Sequence, residues 1–118
     1  MKLPQQINVS LSLIKFKEEN VHIIYSPALD LSGYGNTEEE ANASFQICLE
    51  EFFKYTLHKK TFNTVLTNLG WKINRKNDLV CQPPQFDELI TRNEYFSSIV
   101  REKEFSKIDK PVLMPVYR

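Results

Sequence analysis

Two histidines, two cysteines and a few carboxylates are the residues of this chain from which chemistry could be made. His22 stands in an alternating apolar stretch and His58 at the end of a helical one, and neither has a nucleophile beside it in a recognisable pattern. Each is expected to serve a surface or capping role. Cys48 falls on an apolar helical stripe, which suits a core thiol and not an activated thiolate. Cys48 and Cys81 lie far apart with no CxxC or Cys/His ligand spacing, and both are expected as reduced thiols. Asp30 with Glu18, Glu38 or Glu40 is the carboxylate set that could hold a divalent ion in a nuclease. Glu38 and Glu40 have a competing use at a helix start, and Asp30 follows a proline-containing turn. Phosphate-cradling GxxxxGK[ST], GxGxxG and GxSxG patterns do not occur, and Gly33-Tyr34-Gly35-Asn36 is too short for a nucleotide loop. No catalytic residue, no metal ligand and no cofactor is expected, so the chain is not expected to be an enzyme.

The elements that carry these residues follow from periodicity. Ile7, Val9, Leu11 and Leu13 alternate with Asn8, Ser10 and Ser12, a period of two that predicts a half-buried strand. The phase shifts at Ile14 and Phe16, which predicts a bulge or a strand tail covered on both faces. After the polar turn Glu18-Glu19-Asn20, Val21 to Tyr25 predicts a second strand, making a hairpin. Ser26-Pro27 stops it, and Leu29 to Gly35 predicts a short third strand. Thr37-Glu38-Glu39-Glu40 has the form of a capping box, with three glutamates at the positive end of the helix dipole. Ala41, Phe45, Cys48, Leu49 and Phe52 then recur at helical spacing, so a helix is predicted over 38–58. Thr61 is placed to cap a shorter helix bearing Phe62, Val65, Leu66 and Leu69, with Gly70 at its left-handed end. Trp71 to Gln82 predicts a hairpin turning at Asn74 to Asp78, closed stiffly by Pro83-Pro84. Residues 85–118 allow one or two short helices or an arm with little regular structure. Lys110 to Arg118 is extended and apolar, with prolines that forbid a central strand. It is expected to dock on its own domain or on a partner subunit.

Composition bounds the partners. The 118 residues are 42% hydrophobic and 25% charged, ordinary for a single globular domain. Fifteen basic residues balance fifteen acidic ones, so no general nucleic-acid surface is indicated. Residues 1–71 lean slightly acidic and residues 72–118 slightly basic. No apolar run is long enough for a membrane span and the N-terminus lacks a signal-peptide pattern, so a cytoplasmic protein is expected.

The segment from Val21 to Ala41 resembles the HicB antitoxin family. That family shows an aromatic strand end, a Pro-x-Leu turn, a short strand, then Gly-x-Thr-x-Glu-Glu-Ala opening a helix. Tyr25, Pro27, Leu29, Gly35, Thr37, Glu39, Glu40 and Ala41 stand at those places. The likeness covers residues 7–58. It departs from the family where Leu29-Asp30-Leu31-Ser32 replaces a Leu-Pro-Gly-Cys run. Residues 61–118 also lack a convincing helix-turn-helix or ribbon-helix-helix pattern, so operator DNA binding is left open. The resemblance implies a partial RNase-H-like fold with no catalytic constellation. It implies a protein partner, a HicA-type mRNA-cleaving toxin whose active site the antitoxin covers.

The expectation is an α+β fold in which a three-stranded antiparallel sheet packs on a helix, followed by a short helix, a hairpin and an irregular C-terminal arm. Residues 1–60 form the HicB-like core and 61–118 an extension of the same globular unit. Asp30, Gly33, Tyr34 and Gly35 are the expected partner-binding residues. Phe53, Leu57, Val112 and Leu113 are the expected oligomer contacts, in a homo-oligomer that binds the toxin.

Overall fold

A computed structural model describes residues 5–74 and 80–116. Met1-Lys2-Leu3-Pro4, the greater part of the predicted hairpin turn with Leu79, and Tyr117-Arg118 lie outside the described residues. The fold is α+β, with a four-stranded antiparallel sheet packed against helices. Its strands are β1 (Gln5–Glu18), β2 (Val21–Ser26), β3 (Leu31–Gly35) and β6 (Phe105–Val116), in the order β3-β2-β1-β6. Helix α1 (Glu38–His58) follows β3 directly and α2 (Phe62–Asn68) follows α1. A two-stranded hairpin, β4 (Lys72–Asn74) with β5 (Val80–Gln82), leads to α3 (Phe86–Arg92) and α4 (Glu94–Glu102).

The sheet opens with a tight hairpin. Glu19 and Asn20 join β1 to β2 with φ of 49° and 70°, two left-handed residues in succession. That is the type I′ geometry whose twist matches the strands it connects. The register from β1 to β6 runs without interruption from Gln5↔Val116 to Phe16↔Phe105. Of the two explanations for the phase shift at Ile14, the bulge is therefore excluded. Val9, Leu11 and Leu13 face one side of the sheet, Ile14 and Phe16 the other, and all five are buried. The strand tail is covered on both faces.

Alternation assigns those covers. Ile24 stands opposite Gly33, and Gly33 lies against Ala41 and Phe45 of α1. Tyr25, on the other face, packs its ring on Tyr95 and Phe96 of α4. Helix α1 thus covers one side of the sheet and α4 the other, with Phe86 of α3 edge-on to Phe96 at 4.9 Å. This explains why β2 is buried at Ile23, Ile24 and Tyr25 alike. On the α1 side the row continues through Val112 and Met114, and β5, carrying buried Cys81, touches β1. Trp71 ties α2 to the sheet by donating from its indole nitrogen to the Ala28 carbonyl at 2.8 Å.

Helix α1 keeps the predicted bounds. The Thr37 hydroxyl accepts from the Glu40 N–H at 3.1 Å. The reciprocal bond differs from the capping-box expectation: Glu40 accepts from Asn36 N–H at 2.7 Å, one residue before the cap. The third strand starts at Leu31, not Leu29, because Pro27 to Asp30 are spent on the turn, with Asp30 at φ 56°. Thr61 stands at the α2 cap position, but its hydroxyl makes no capping bond there.

Of the two readings left open for residues 85–118, the one with two short helices holds for 86–102. The irregular C-terminal arm is corrected: residues 105–116 form a twelve-residue strand, so the sheet has four strands and not three. The prolines do keep this segment out of the sheet interior: β6 is an edge strand. Hydrogen-bond parity shows how it tolerates them. Tyr34 turns its N–H away from β2, toward the Ser44 hydroxyl at 3.1 Å. Alternation then makes Ile24↔Gly33, Phe16↔Ile23 and Leu13↔Ile108 the bonded pairs across successive ladders. Pro111 and Pro115 fall at the opposite parity, where an N–H would point off the free edge.

Candidate functional site

Asp30 and Tyr34, two of the residues expected to meet a partner, lie on the α4 side of the sheet, where the β2–β3 turn, β3 and the α3–α4 junction meet. At that meeting point Tyr25 is 1% exposed. Its hydroxyl donates to the Asp30 carboxylate at 2.6 Å and accepts from the Asn93 side-chain amide at 2.7 Å. The Asn93 oxygen in turn accepts from Phe96 N–H at 3.0 Å, capping α4. Burial, then the hydrogen bond to Asp30, raises the Tyr25 hydroxyl well above the usual tyrosine range, so it stays a neutral donor. The network fixes the turn to α4, and the left-handed Asp30 backbone aims its carboxylate at the tyrosine. Asp30 itself remains exposed.

Gly33 and Gly35 serve the close backbone approach that glycine in a strand allows. A Cβ on Gly33 would lie 2.6 Å from the Ala41 carbonyl oxygen and closer still to the Phe45 amide. One on Gly35 would lie 2.6 Å from the Ala41 amide and would overlap the Glu40 side chain. Both glycines therefore serve close approach of α1 to β3. Tyr34 between them points the other way and is 55% exposed. Beside it stands Tyr95, 45% exposed, its ring edge-on to Tyr25 at 5.1 Å. Burial, followed by the nearby Tyr34, Glu18 and Asp30, raises the Tyr95 hydroxyl above its ordinary range.

The expected oligomer contacts do not share one surface. Phe53 and Leu57 are half-buried on the far half of α1, where Phe53 meets Phe62 edge-on at 5.9 Å. Val112 is 7% exposed and turned into the chain's own core, while its neighbour Leu113 is 52% exposed on the opposite face.

The residues weighed for chemistry are dispersed. His22 is half-buried on β2 and His58 exposed at the end of α1. Cys81 is buried, and burial pushes its thiol up to about 11, away from a reactive thiolate. Glu38 pairs with Lys15 at 3.6 Å and Glu18 with Lys103 at 3.8 Å, and Glu40 is held at the helix cap. Asp30 lies on the α4 side of the sheet and Glu38 and Glu40 on the α1 side. Among the described residues no three His, Cys, Asp or Glu side chains gather as metal ligands. No helix among them is long and apolar enough to cross a membrane.

An open trough of about 790 Å³ runs along the sheet end between Lys15, Lys17, His22, Glu38, Lys103 and Glu104. Two of its basic groups, Lys15 and Lys103, are paired with carboxylates. A smaller notch of about 280 Å³ beside the tyrosine network is lined by Asp30, Asn68, Arg92, Asn93 and Glu94.

Sequence reasoning missed Asn93 and Tyr95. Asn93 carries a legible signal, since asparagine before an acidic and aromatic run is a helix cap. Nothing in the local pattern ties it to a tyrosine 68 positions earlier. In comparisons with known proteins, no family model, no curated protein and no solved structure matches this chain.

Proposed function

We propose that this chain is a HicB-like antitoxin, which works in the cytoplasm by binding a HicA-type mRNA-cleaving toxin and covering its active site. The observation that carries the reading is the tight junction of β3 with α1. Tyr25, Pro27, Leu29, Gly35, Thr37, Glu40 and Ala41 each have a fold-making role in this unit. Tyr25, Pro27 and Leu29 are buried in the strand end and turn. Gly35 admits Ala41, and Thr37 and Glu40 close the first turn of the helix. These are seven of the eight residues on which the family likeness rests; the eighth, Glu39, is exposed in the first turn of α1. The exposed side chains on the other face of the same strands suit contact with another protein.

The reading predicts a small basic protein encoded beside this chain. Expressed alone it should arrest growth; expressed with this chain it should be harmless and co-purify with it. A neighbouring product that is harmless alone, or that remains toxic and unbound in the presence of this chain, would refute the antitoxin role.

A further inference from the structure

We propose that the notch of about 280 Å³ beside the tyrosine network binds a free α-amino acid, a small zwitterion with a short apolar side chain. This goes beyond the antitoxin reading and does not rest on it. Four segments distant in sequence build the notch. They are the β2–β3 turn with Pro27 and Asp30, the end of α2 with Leu69, the end of α3 with Leu89 and Arg92, and the start of α4 with Glu94. Its volume lies near the lower end of ligand pockets, roughly 300–1,000 Å³, which suits a small molecule.

Opposite charges share this concavity without pairing. Asp30, Arg92 and Glu94 all line it, yet among the described residues no ion pair links Arg92 to either carboxylate. In the larger trough opposite charges do pair, Lys15 with Glu38. Each charge of the notch is instead held by a neighbour of its own. The Tyr25 hydroxyl fixes one oxygen of Asp30 at 2.6 Å, and the other oxygen makes no bond among the described residues. The Arg92 guanidinium occupies the place of a Gly70 side chain, since a Cβ there would overlap it. It donates to the Asn68 carbonyl at 3.4 Å. That long bond leaves most of the guanidinium's donors for a carboxylate. The rest of the lining is apolar, with Pro27 and Leu89 buried and Leu69 half-buried.

These features select the ligand. A simple anion would meet Asp30 and Glu94, and a simple cation would meet Arg92, so a ligand of one sign is opposed on one side. An α-amino acid carries both signs. Its carboxylate suits the planar fork of Arg92, and its ammonium suits the unbonded oxygen of Asp30 and the carboxylate of Glu94. A few placed polar groups around an apolar lining is the common composition of a small-ligand site. The three apolar residues favour a short aliphatic side chain such as that of valine.

The test follows amide NMR signals of the full chain during titration with L-valine, N-acetyl-L-valine and L-valinamide. L-valine should give saturable shifts at Asp30, Leu69 and Asn93. Each blocked analogue lacks one charge and should bind at least about tenfold more weakly, the loss of one charge-assisted pair. Arg92→Gln should abolish the preference for L-valine over L-valinamide. Glu94→Gln, which spares the Tyr25 network, should reduce the preference for L-valine over N-acetyl-L-valine. No saturable shift with L-valine, or equal binding of all three compounds, would overturn the site. A blocked analogue that binds as tightly as L-valine would overturn the zwitterion. Should L-valine leave these signals unmoved while Arg92→Gln weakens the complex with the basic protein encoded beside this chain, the notch belongs to that partner. The amino-acid proposal would then fail and the antitoxin role would stand.

Discussion

At the scale of single residues, space and burial decide more than reactivity does. Gly33 is required because backbone atoms of α1 occupy the volume of its missing side chain. Gly33→Ala has no flexible neighbour to displace, so it should cost at least about 3 kcal/mol, the upper end of overpacking penalties. Urea unfolding would measure this, and a loss within error of zero would mean the strand and helix are less closely seated than described. Two acids set the alkaline limit. Cys81 rises from its ordinary 9.0 to about 11 through burial, and Tyr25 is raised through burial and its bond to Asp30. In both cases the unfolded chain releases its proton at lower pH than the folded chain does. Stability should therefore hold up to about pH 9 and fall as pH rises beyond it, by about 1.4 kcal/mol per unit for each group over its window. Denaturation midpoints taken from neutral to alkaline pH would reveal it; an unchanging midpoint would contradict the burial of both groups. Tyr25 was legible as an aromatic strand end. Its network was not, because Asn93 belongs to a helix that the local pattern did not define.

At the scale of elements, the chain ends its two consecutive helices the same way with different residues. After α2, Gly70 takes φ 100°, with its N–H on the Thr67 carbonyl and that of Trp71 on Leu66. After α1, Lys60 takes φ 57°, with its N–H on Leu57 and that of Thr61 on Thr56. These are matching Schellman motifs, and the left-handed position strains lysine but not glycine. Lys60→Gly should stabilise the protein by about 0.5–1 kcal/mol, seen as a higher melting temperature. A lower one would show that the lysine side chain contributes more than its backbone costs. The bounds of α1 were readable because cap, charge and apolar spacing agree over its length. The end of α2 was readable from Gly70 alone. The end of α1 carries no such sign: His58, Lys59 and Lys60 suit a helix terminus by charge, but only the fold shows which of them turns left-handed.

At the scale of the whole molecule, the sheet is joined by residues from opposite ends of the described chain. The first three strands could be read from alternation and turn residues, since each pairs with its neighbour in sequence. The fourth could not. Lys110 to Tyr117 has the composition of a strand, but its partner lies about a hundred residues away, and the prolines ruled out only a central place in a sheet without saying which strand it joins. The β1–β6 pairing, from Gln5↔Val116 to Phe16↔Phe105, has a kinetic consequence. Bringing those strands together closes a very long loop, an entropic cost that the local hairpin β1–β2 does not bear. Folding should then proceed in two stages: the hairpin and α1 protect their amides early, and those of β6 remain open to exchange until the closing step. Pulsed hydrogen exchange during refolding would resolve the order, and simultaneous protection of β2 and β6 would exclude it. While the gap persists, Val9 and Leu11 have no strand at their side. A newly made chain would then be most vulnerable to proteases and sticky neighbours in the interval before its final strand arrives.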